Sequence, residues 1–317
     1  MGVITTGGDA PGMNAAIRAV TRIAISNDLN VIGFEKGWTG LITNTFRPLT
    51  PRSVGGILHT GGTALETSRC PRFRETEGIQ LAAETLEKNN VDVLMIIGGN
   101  GSFNGALELS KKTDTLMIGI PATIDNDVFG TDETIGFDTA VDTAVVAIDK
   151  IRDTMVSLER IFVIEVMGRE RGFIAATVGL AVGAEIVLVP EIEYDVNKIF
   201  EEIREKRAKG KKYGIIVAAE GIGDCHKLTK EIEKHTGAEA RISVLGYIQR
   251  GGHPSARSRL LAALFADKAV EIFLNEQENR VVGIQGSTIT SIDLEKSCKT
   301  EKPLDVDLIK LANMLAR

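Results

Sequence analysis

Short apolar runs alternate with amphipathic stretches along the chain. Residues 2–6, 93–97 and 161–166 are short and apolar, as buried strands are, whereas residues 137–156 repeat their apolar positions at the spacing of a helix. Strands and helices that alternate in this way build βαβ units, in which helices cover a parallel sheet. The pattern therefore predicts an α/β protein with doubly wound, mostly parallel sheets.

The length of the chain predicts two domains. A single hydrophobic core usually stops growing below 317 residues, so two doubly wound domains are expected. Glycine is abundant at 33 residues and aromatic side chains are scarce at 5%, a balance common where tight loops join strands to helices. The residues alone do not say where the chain crosses between the domains.

Charge and cysteine content argue against several classes of protein. The net charge of −6 disfavours a nucleic-acid binder or a membrane-surface protein, although local arginine clusters could still hold small anions. Cys70, Cys225 and Cys298 are widely separated and lack metal-ligand spacing, which indicates a reducing cytosol and no structural disulfide. Because the apolar runs are too short to span a bilayer and no signal peptide is evident, a soluble cytoplasmic protein is expected.

A cluster of polar side chains follows one predicted strand and is the strongest sign of chemistry. Residues 116–121 form an uncharged run that we expect to end at Pro121, because proline lacks the N–H that a central strand requires. Thr123, Asp125 and Asp127 follow at two-residue spacing, which in an extended segment directs them to one side. One carboxylate there could accept a hydroxyl proton while the other faces a metal ion. The alternative is a turn with capping residues and no chemistry.

Two glycine-rich loops lie at predicted strand ends. Residues 7–12 precede a helix over about residues 13–25, and residues 98–102 precede a helix over about residues 103–112. Such loops expose backbone N–H groups at a helix N-terminus and suit a phosphate, although a tight turn explains the glycines equally well.

Arginine side chains are placed where an anionic ligand would lie. Three arginines fall within residues 69–74, beside small residues and a proline. Arg169 and Arg250 come shortly after predicted strands, and Glu220 follows a third. The alternatives are a solvated turn and surface salt bridges.

Five motifs, considered together, are far more specific than any one of them. They are Gly-Gly-Asp-Ala-Pro-Gly-Met-Asn at 7–14, Gly-Gly-Asn-Gly-Ser at 98–102, Thr-Ile-Asp-Asn-Asp at 123–127, Glu-Val-Met-Gly-Arg at 165–169 and Leu-Gly-Tyr-Ile-Gln-Arg-Gly-Gly at 245–252. Jointly they resemble the bacterial-type 6-phosphofructokinase family over essentially the whole chain. The resemblance implies a glycolytic phosphotransferase that moves the γ-phosphoryl group of ATP to the 1-hydroxyl of fructose 6-phosphate, with Mg²⁺. Such a reaction needs positioning and charge neutralisation, which a carboxylate, a metal ion and several arginines supply.

The resemblance assigns roles to individual residues. Asp125 would be the base for the sugar hydroxyl, and Thr123 would help to place the reacting groups. Arg69 and Arg169 would face the transferring phosphoryl group or the sugar. Mg²⁺ would lie near Asn100 and Asp127. The nucleotide would be lined by Gly8, Arg69, Cys70, Gly99, Asn100, Gly101 and Ser102. The sugar phosphate would be held by Thr123, Asp125, Arg160, Met167, Gly168, Arg169, Glu220, Arg241, Tyr247 and Arg250. An ADP or phosphoenolpyruvate effector would contact Arg18, Arg22, Arg152, Glu185, Lys209 and Lys211.

The resemblance also implies an arrangement of domains, with the active site in the cleft between them. Residues 1–136 and about 249–299 would form the nucleotide domain. Residues 137–248 and about 300–317 would form the sugar-phosphate domain.

The spacing of four arginines bears on the oligomeric state. Arg160 and Arg169 are nine residues apart, as are Arg241 and Arg250, and an extended segment of that length spans about 30 Å. One ligand therefore cannot contact both members of a pair within one chain. If all four bind the sugar phosphate, a neighbouring subunit of a symmetric oligomer, most simply a homotetramer, must supply Arg160 and Arg241. The alternative is that these two are surface residues.

Several positions decide between related functions. Asn100 stands where an aspartate near Mg²⁺ is common, Tyr247 replaces a sugar-contacting histidine, and Pro51 lies where an effector-binding arginine is often found. Because Asn100 lacks the charge of that aspartate, a non-catalytic sugar-phosphate sensor is one alternative function. A pyrophosphate-dependent enzyme is a further alternative, but Gly101 and Ala122 are small where such enzymes tend to carry Asp and Lys, which favours ATP.

Overall fold

The computed structural model describes residues 1–275 and 277–316, and the chain divides into two compact units. Unit 1 contains Met1–Thr139 and, apart from residue 276, Arg250–Lys302. Unit 2 contains Ala140–Gln249 and residues 303–316.

Strands and helices alternate through most of the chain. The strands are β1 (Gly2–Thr5), β2 (Ile32–Phe34), β3 (Phe46–Pro48), β4 (Val93–Gly98), β5 (Leu116–Thr123), β6 (Ile135–Gly136), β7 (Ile161–Val166), β8 (Ile186–Leu188), β9 (Gly214–Ala219), β10 (Ala240–Val244), β11 (Arg280–Gln285) and β12 (Thr288–Asp293). The helices are α1 (Met13–Ser26), α2 (Trp38–Ile42), α3 (Thr76–Lys88), α4 (Asn100–Ser110), α5 (Phe137–Leu158), α6 (Phe173–Ala181), α7 (Val196–Ala208), α8 (Cys225–Thr236), α9 (Ala256–Asn275), α10 (Leu294–Lys299) and α11 (Val306–Leu315).

Unit 1 is built on one large sheet. Its strands follow the order β12-β11-β5-β4-β1-β2-β3, with the short β6 beside β5. The inner strands are parallel, and β3 and β12 are antiparallel edges. Every residue of β1 and β4 is buried, as expected of strands in the middle of a parallel sheet. Helix α1 packs against α9, so the first and last segments of this unit are held together.

Unit 2 has a smaller, wholly parallel sheet in the order β10-β7-β9-β8. Its core joins these strands to α7 and α8 through side chains such as Val163, Ile216 and Ile232. Asp195 and Asp224 begin these two helices, and each carboxylate accepts a main-chain N–H of the first turn. A cap of this kind contributes about 1 kcal/mol to the stability of a helix.

The two sheets confirm the predicted α/β class with mostly parallel strands. Within the described ranges, no helix combines the length and the apolar character needed to cross a membrane.

The predicted end of β5 at Pro121 is wrong, because the strand continues to Thr123. The ladder with β11 pairs Ile118 and Gly119, and the ladder with β6 begins at Ala122. On this side of β5, Pro121 lies in the gap between the two ladders, so its missing N–H interrupts neither of them, while on the other side it pairs with Gly98 of β4.

The predicted extended segment after β5 is also wrong. Asn126 has a left-handed backbone with φ +52°, so the alternation of side chains along a strand does not relate Asp125 to Asp127. In addition, α4 begins at Asn100, three residues before its predicted start at residue 103.

Candidate active site

Three loops of unit 1 meet at neighbouring strand ends. β1, β4 and β5 are adjacent and parallel, so their carboxyl ends lie along one edge of the sheet. This edge is where doubly wound proteins bind their ligands. The loops that leave it are residues 6–12, the turn into α4, and residues 124–134.

The first two loops are in direct contact. Ser102 Oγ donates a hydrogen bond of 2.9 Å to Thr6 O across the sheet edge. A Cβ at Gly98 would lie 2.4 Å from Ser102 Oγ and 2.6 Å from Thr6 O, so only glycine allows this approach. A Cβ at Gly101, by contrast, would meet no atom within 4 Å. The start of α4 therefore presents predicted nucleotide residues beside the glycine-rich loop, where a helix N-terminus favours phosphate.

The second loop also contacts the third. Asn100 Nδ2 donates to Asp127 O at 3.0 Å, and a Cβ at Gly99 would lie 3.3 Å from Thr123 Cβ. The two predicted metal residues, Asn100 and Asp127, are thus neighbours. The contact uses the main chain of Asp127 and not its carboxylate.

The predicted base is held by its own loop. Asp125 N donates to Thr123 Oγ1 at 3.2 Å, and Thr134 Oγ1 donates to Thr123 O at 2.6 Å. Thr123 thus connects the strand end, the base and the far end of the loop. This arrangement orients Asp125 through short-range contacts that the sequence spacing did not predict.

The arginine-containing loop is fastened to the glycine-rich loop. Thr67 Oγ1 donates to Gly7 O at 2.8 Å, and the buried Asn14 side chain accepts Ala64 N at 2.6 Å and donates to Gly61 O at 3.0 Å. Arg69, which is exposed, and the half-buried Cys70 follow directly along this loop. Thr67, two residues before Arg69, is thus tied to the first loop, whereas Cys70 packs against the hydrophobic core of unit 1.

Arg250 also lies on the glycine-rich loop. Its Nη2 is 2.5 Å from Asp9 Oδ1, and a Cβ at Gly8 would lie 2.7 Å from the same nitrogen. Arg250 therefore adjoins the predicted nucleotide residue Gly8. Asp9 is a partner that our sequence reasoning missed, although a carboxylate inside a glycine-rich loop was a signal that could have revealed it.

In unit 2, the predicted sugar-phosphate residues fall into two groups. The first lies beyond the carboxyl ends of β7 and β9. Arg169 N donates to Glu220 Oε1 at 2.7 Å, and Met167 N donates to Gln249 Oε1 at 2.9 Å. Gly168 lies between these two residues, and its φ of +138° makes the sharp turn that lets both contacts form. Gln249 is fully buried and was not predicted, since no pattern distinguishes a buried amide from an exposed one.

The second group lies at the opposite, amino end of β7. Arg160 Nη2 binds Glu239 Oε1 at 2.8 Å, and Arg241 binds the same carboxylate as well as Glu233. The hydrogen bond from Arg160 and the nearby guanidinium charges hold the pKa of Glu239 below its usual value. The structure thus brings Arg160 and Arg241 together and separates them from Arg169. Tyr247 follows β10 and is 78% exposed.

The predicted effector residues occupy both units. In unit 2, Lys211 Nζ binds Glu185 at 2.7 Å, and both line a small depression of about 30 Å³ with Lys206, Arg207 and Lys212. Elsewhere in this unit, Arg152 donates to Val182 O, and Lys209 ends α7. In unit 1, α1 carries the half-buried Arg18 and the exposed Arg22, whose Nη2 donates to Pro51 O at 3.3 Å.

Sequence comparison shows that this chain is similar to phosphofructokinases. The family model described as Phosphofructokinase matches residues 1–273. The chain is 46% identical over 316 residues to an ATP-dependent 6-phosphofructokinase of Bacillus cytotoxicus, and the match covers 100% of this chain and 99% of that protein.

Structural comparison finds similar folds. A Pichia pastoris phosphofructokinase in the T-state matches with a TM-score of 0.89 and 33% identity. The match covers 94% of this chain and 35% of the Pichia chain. A pyrophosphate-dependent phosphofructokinase from Marinobacter aquaeolei matches with a TM-score of 0.85 over 96% of this chain and 85% of that chain. At 24% identity, the second likeness concerns the fold alone.

Proposed function

Because the chain belongs to the phosphofructokinase family, we propose that it transfers the γ-phosphoryl group of ATP to the 1-hydroxyl of fructose 6-phosphate. The observation that supports this most directly is the contact of three loops at one sheet edge. Asp125 belongs to the loop whose Asp127 accepts a hydrogen bond from Asn100 at the start of α4, and that turn in turn contacts the first glycine-rich loop. The reaction belongs to glycolysis, and we place the enzyme in the cytoplasm.

The proposed step is a direct transfer. The Asp125 carboxylate accepts the proton of the sugar 1-hydroxyl while the hydroxyl oxygen bonds to the γ-phosphorus. The bond between that phosphorus and the bridging oxygen of ATP breaks, and ADP leaves. Thr123 keeps Asp125 oriented through its hydrogen bond with the main chain, and Arg69 and Arg169 offset the phosphoryl charge.

The residues at this edge suit Mg²⁺. The ion takes oxygen ligands and is usually held by one or two carboxylates together with substrate phosphates. Residues 1–275 and 277–316 contain no group of three or more His, Cys, Asp or Glu side chains that would form a cage for it. Asp127 with Asn100, which are hydrogen-bonded neighbours, would hold the ion alongside ATP. When bound, Mg²⁺ would neutralise part of the phosphate charge.

Main-chain groups, one carboxylate, a tyrosine hydroxyl and guanidinium groups would orient the sugar phosphate. We assign this role to Met167, Gly168, Glu220, Tyr247 and Arg250, and further to Arg160 and Arg241 from a neighbouring subunit of a homotetramer. The Glu220 carboxylate is fixed by the N–H of Arg169, so its position is set before a sugar hydroxyl arrives.

We expect ATP, and not pyrophosphate, to be the phosphoryl donor. A Cβ at Gly101 would meet no atom within 4 Å, and this open space leaves room for the α-phosphate and the ribose. The test measures formation of fructose 1,6-bisphosphate with each donor in parallel, and we expect at least about 10²-fold faster turnover with ATP. A preference for pyrophosphate would contradict the assignment, and turnover with neither donor would favour a non-catalytic sensor.

We expect the effector site to respond weakly to phosphoenolpyruvate. Arg22 donates to the main chain of Pro51, at a position where the family often supplies another arginine. With one cation fewer, we expect phosphoenolpyruvate to raise the half-saturating fructose 6-phosphate concentration by less than about 5-fold, the low end of ordinary allosteric coupling. Titration of wild type and of the Arg18→Ala, Arg152→Ala double variant checks this. Strong inhibition that survives in the double variant would place the effector elsewhere.

A further inference from the structure

We propose that Lys302 is a positioning residue that anchors the Asp125 loop, defined as residues 125–133. Lys302 lies beyond α10, more than 160 residues from this loop in sequence, and belongs to none of the motifs. The inference rests on the proposed function, because it concerns the geometry of the base in that reaction.

The anchor acts on one carbonyl oxygen. Lys302 Nζ donates to Asp132 O at 2.9 Å, and Asn126 Nδ2 donates to the same oxygen at 3.0 Å. A carbonyl oxygen has two lone pairs, so the two donors fill its capacity. The bond from Asn126 closes the loop into a ring, and the bond from Lys302 fixes that ring to the end of unit 1.

The ring begins directly after the proposed base. Asn126 is 5% exposed and holds the left-handed backbone that separates Asp125 from Asp127. A shift of Asp132 O would therefore be passed to Asn126 through their hydrogen bond, and from Asn126 to its two neighbours. The hydrogen bond from Lys302 thus acts on the base through Asp132 and Asn126.

Other contacts hold the far side of the loop. Asp132 N donates to Ile284 O at 2.7 Å, and Ile284 N donates to Thr131 Oγ1 at 3.0 Å. Arg257 makes two hydrogen bonds to Glu133, of 2.7 and 2.8 Å. Removal of Lys302 should therefore loosen the loop and leave the fold of unit 1 intact.

Charge gives Lys302 a second effect on the loop. Asp125, Asp127, Asp132 and Glu133 place four carboxyl groups within nine residues. Burial lowers the pKa of Lys302 to about 8, and the nearby Asp132, Asp127 and Glu133 oppose that shift. At pH 7 the ammonium group is still mostly protonated, so it offsets the repulsion among the carboxylates of the loop.

The test compares Lys302→Met and Lys302→Arg with wild type, and uses Lys299→Met as a matched control. Lys299 is exposed on α10 and pairs with Glu295 within its own helix. Steady-state kinetics give kcat and the KM for each substrate. Hydrogen exchange, followed by mass spectrometry without substrates, reports on peptides that cover residues 125–133.

We expect Lys302→Met to lower kcat by about 10- to 100-fold, because small displacements of a catalytic group are costly. Both KM values should stay within about 3-fold, since the anchor acts on the base and not on ground-state binding. Exchange should quicken in residues 125–133 alone. Lys302→Arg should restore most of kcat, and Lys299→Met should behave as wild type.

Three outcomes would overturn the proposal. They are a kcat of Lys302→Met within 2-fold of wild type, a kcat loss that Lys302→Arg fails to reduce, and faster exchange spread over the whole chain. A wild-type protein that makes no fructose 1,6-bisphosphate would instead refute the proposed function. The exchange experiment would still test whether Lys302 anchors the loop.

Discussion

We expect Asp125→Asn to lower kcat by about 10²- to 10⁴-fold, the range that a positioned general base contributes. The amide keeps the size of the carboxylate but cannot take the hydroxyl proton. The KM for fructose 6-phosphate should change little, because the lost interaction strengthens only as that proton leaves. Initial rates at varied concentrations of both substrates measure the two effects separately.

Asp114→Asn is a suitable control for this experiment. Asp114 is exposed just before β5, so its variant makes the same change of charge at the other end of the same strand. We expect it to retain wild-type kinetics. Near-normal turnover in Asp125→Asn would refute the assignment of the base.

We expect two inactive variants to restore activity when they assemble together. Arg160 and Arg169 flank β7, and the five steps of roughly 3.3 Å between its six residues hold the ends of that strand about 17 Å apart. Both can serve sugar-phosphate sites only if neighbouring chains share those sites. Arg160→Ala and Arg169→Ala should each be nearly inactive alone. With random mixing, about a quarter of the sites in the hybrids would receive an intact arginine from each chain.

The measurement is the specific activity of purified hybrids that carry two different affinity tags. Each parent, taken through the same dissociation and reassembly, is the control. Hybrids as inactive as the parents would show that the sites are not shared in this way. A shared site would also let subunit rotation change the affinity for the sugar phosphate.

The fold was predictable because buried parallel strands leave a clear pattern. Val93–Gly98 is apolar throughout and lies in the middle of the sheet, so hydrophobicity alone identifies it. The glycine-rich turns were equally predictable. A side chain at Gly98 would block the close approach of Ser102 to Thr6, so the position requires glycine. The resemblance carried by these motifs is confirmed by the match to the family model and to a full-length relative.

The features that the sequence did not predict depend on contacts between segments that are distant in the chain. Pro121 lies within β5 because of where two neighbouring ladders end and begin, which local propensity does not encode. The backbone of Asn126 is set by a bond to Asp132, and that oxygen in turn is held by Lys302. Likewise, Gln249 accepts a hydrogen bond from Met167, which lies 82 residues away in the sequence. Hydrophobic periodicity carries no information about such pairings.

Phosphorus NMR tests directly whether this chain moves a phosphoryl group from ATP to the 1-hydroxyl of fructose 6-phosphate. The reaction contains wild-type protein, Mg²⁺, ATP and fructose 6-phosphate, and Asp125→Asn serves as the blank. We expect the γ-phosphate signal to decline as the ADP signals and a second sugar-phosphate ester at the 1-position grow in equal amounts. An unchanged ATP spectrum, or conversion of the γ-phosphate to free inorganic phosphate without a new ester, would contradict the claim.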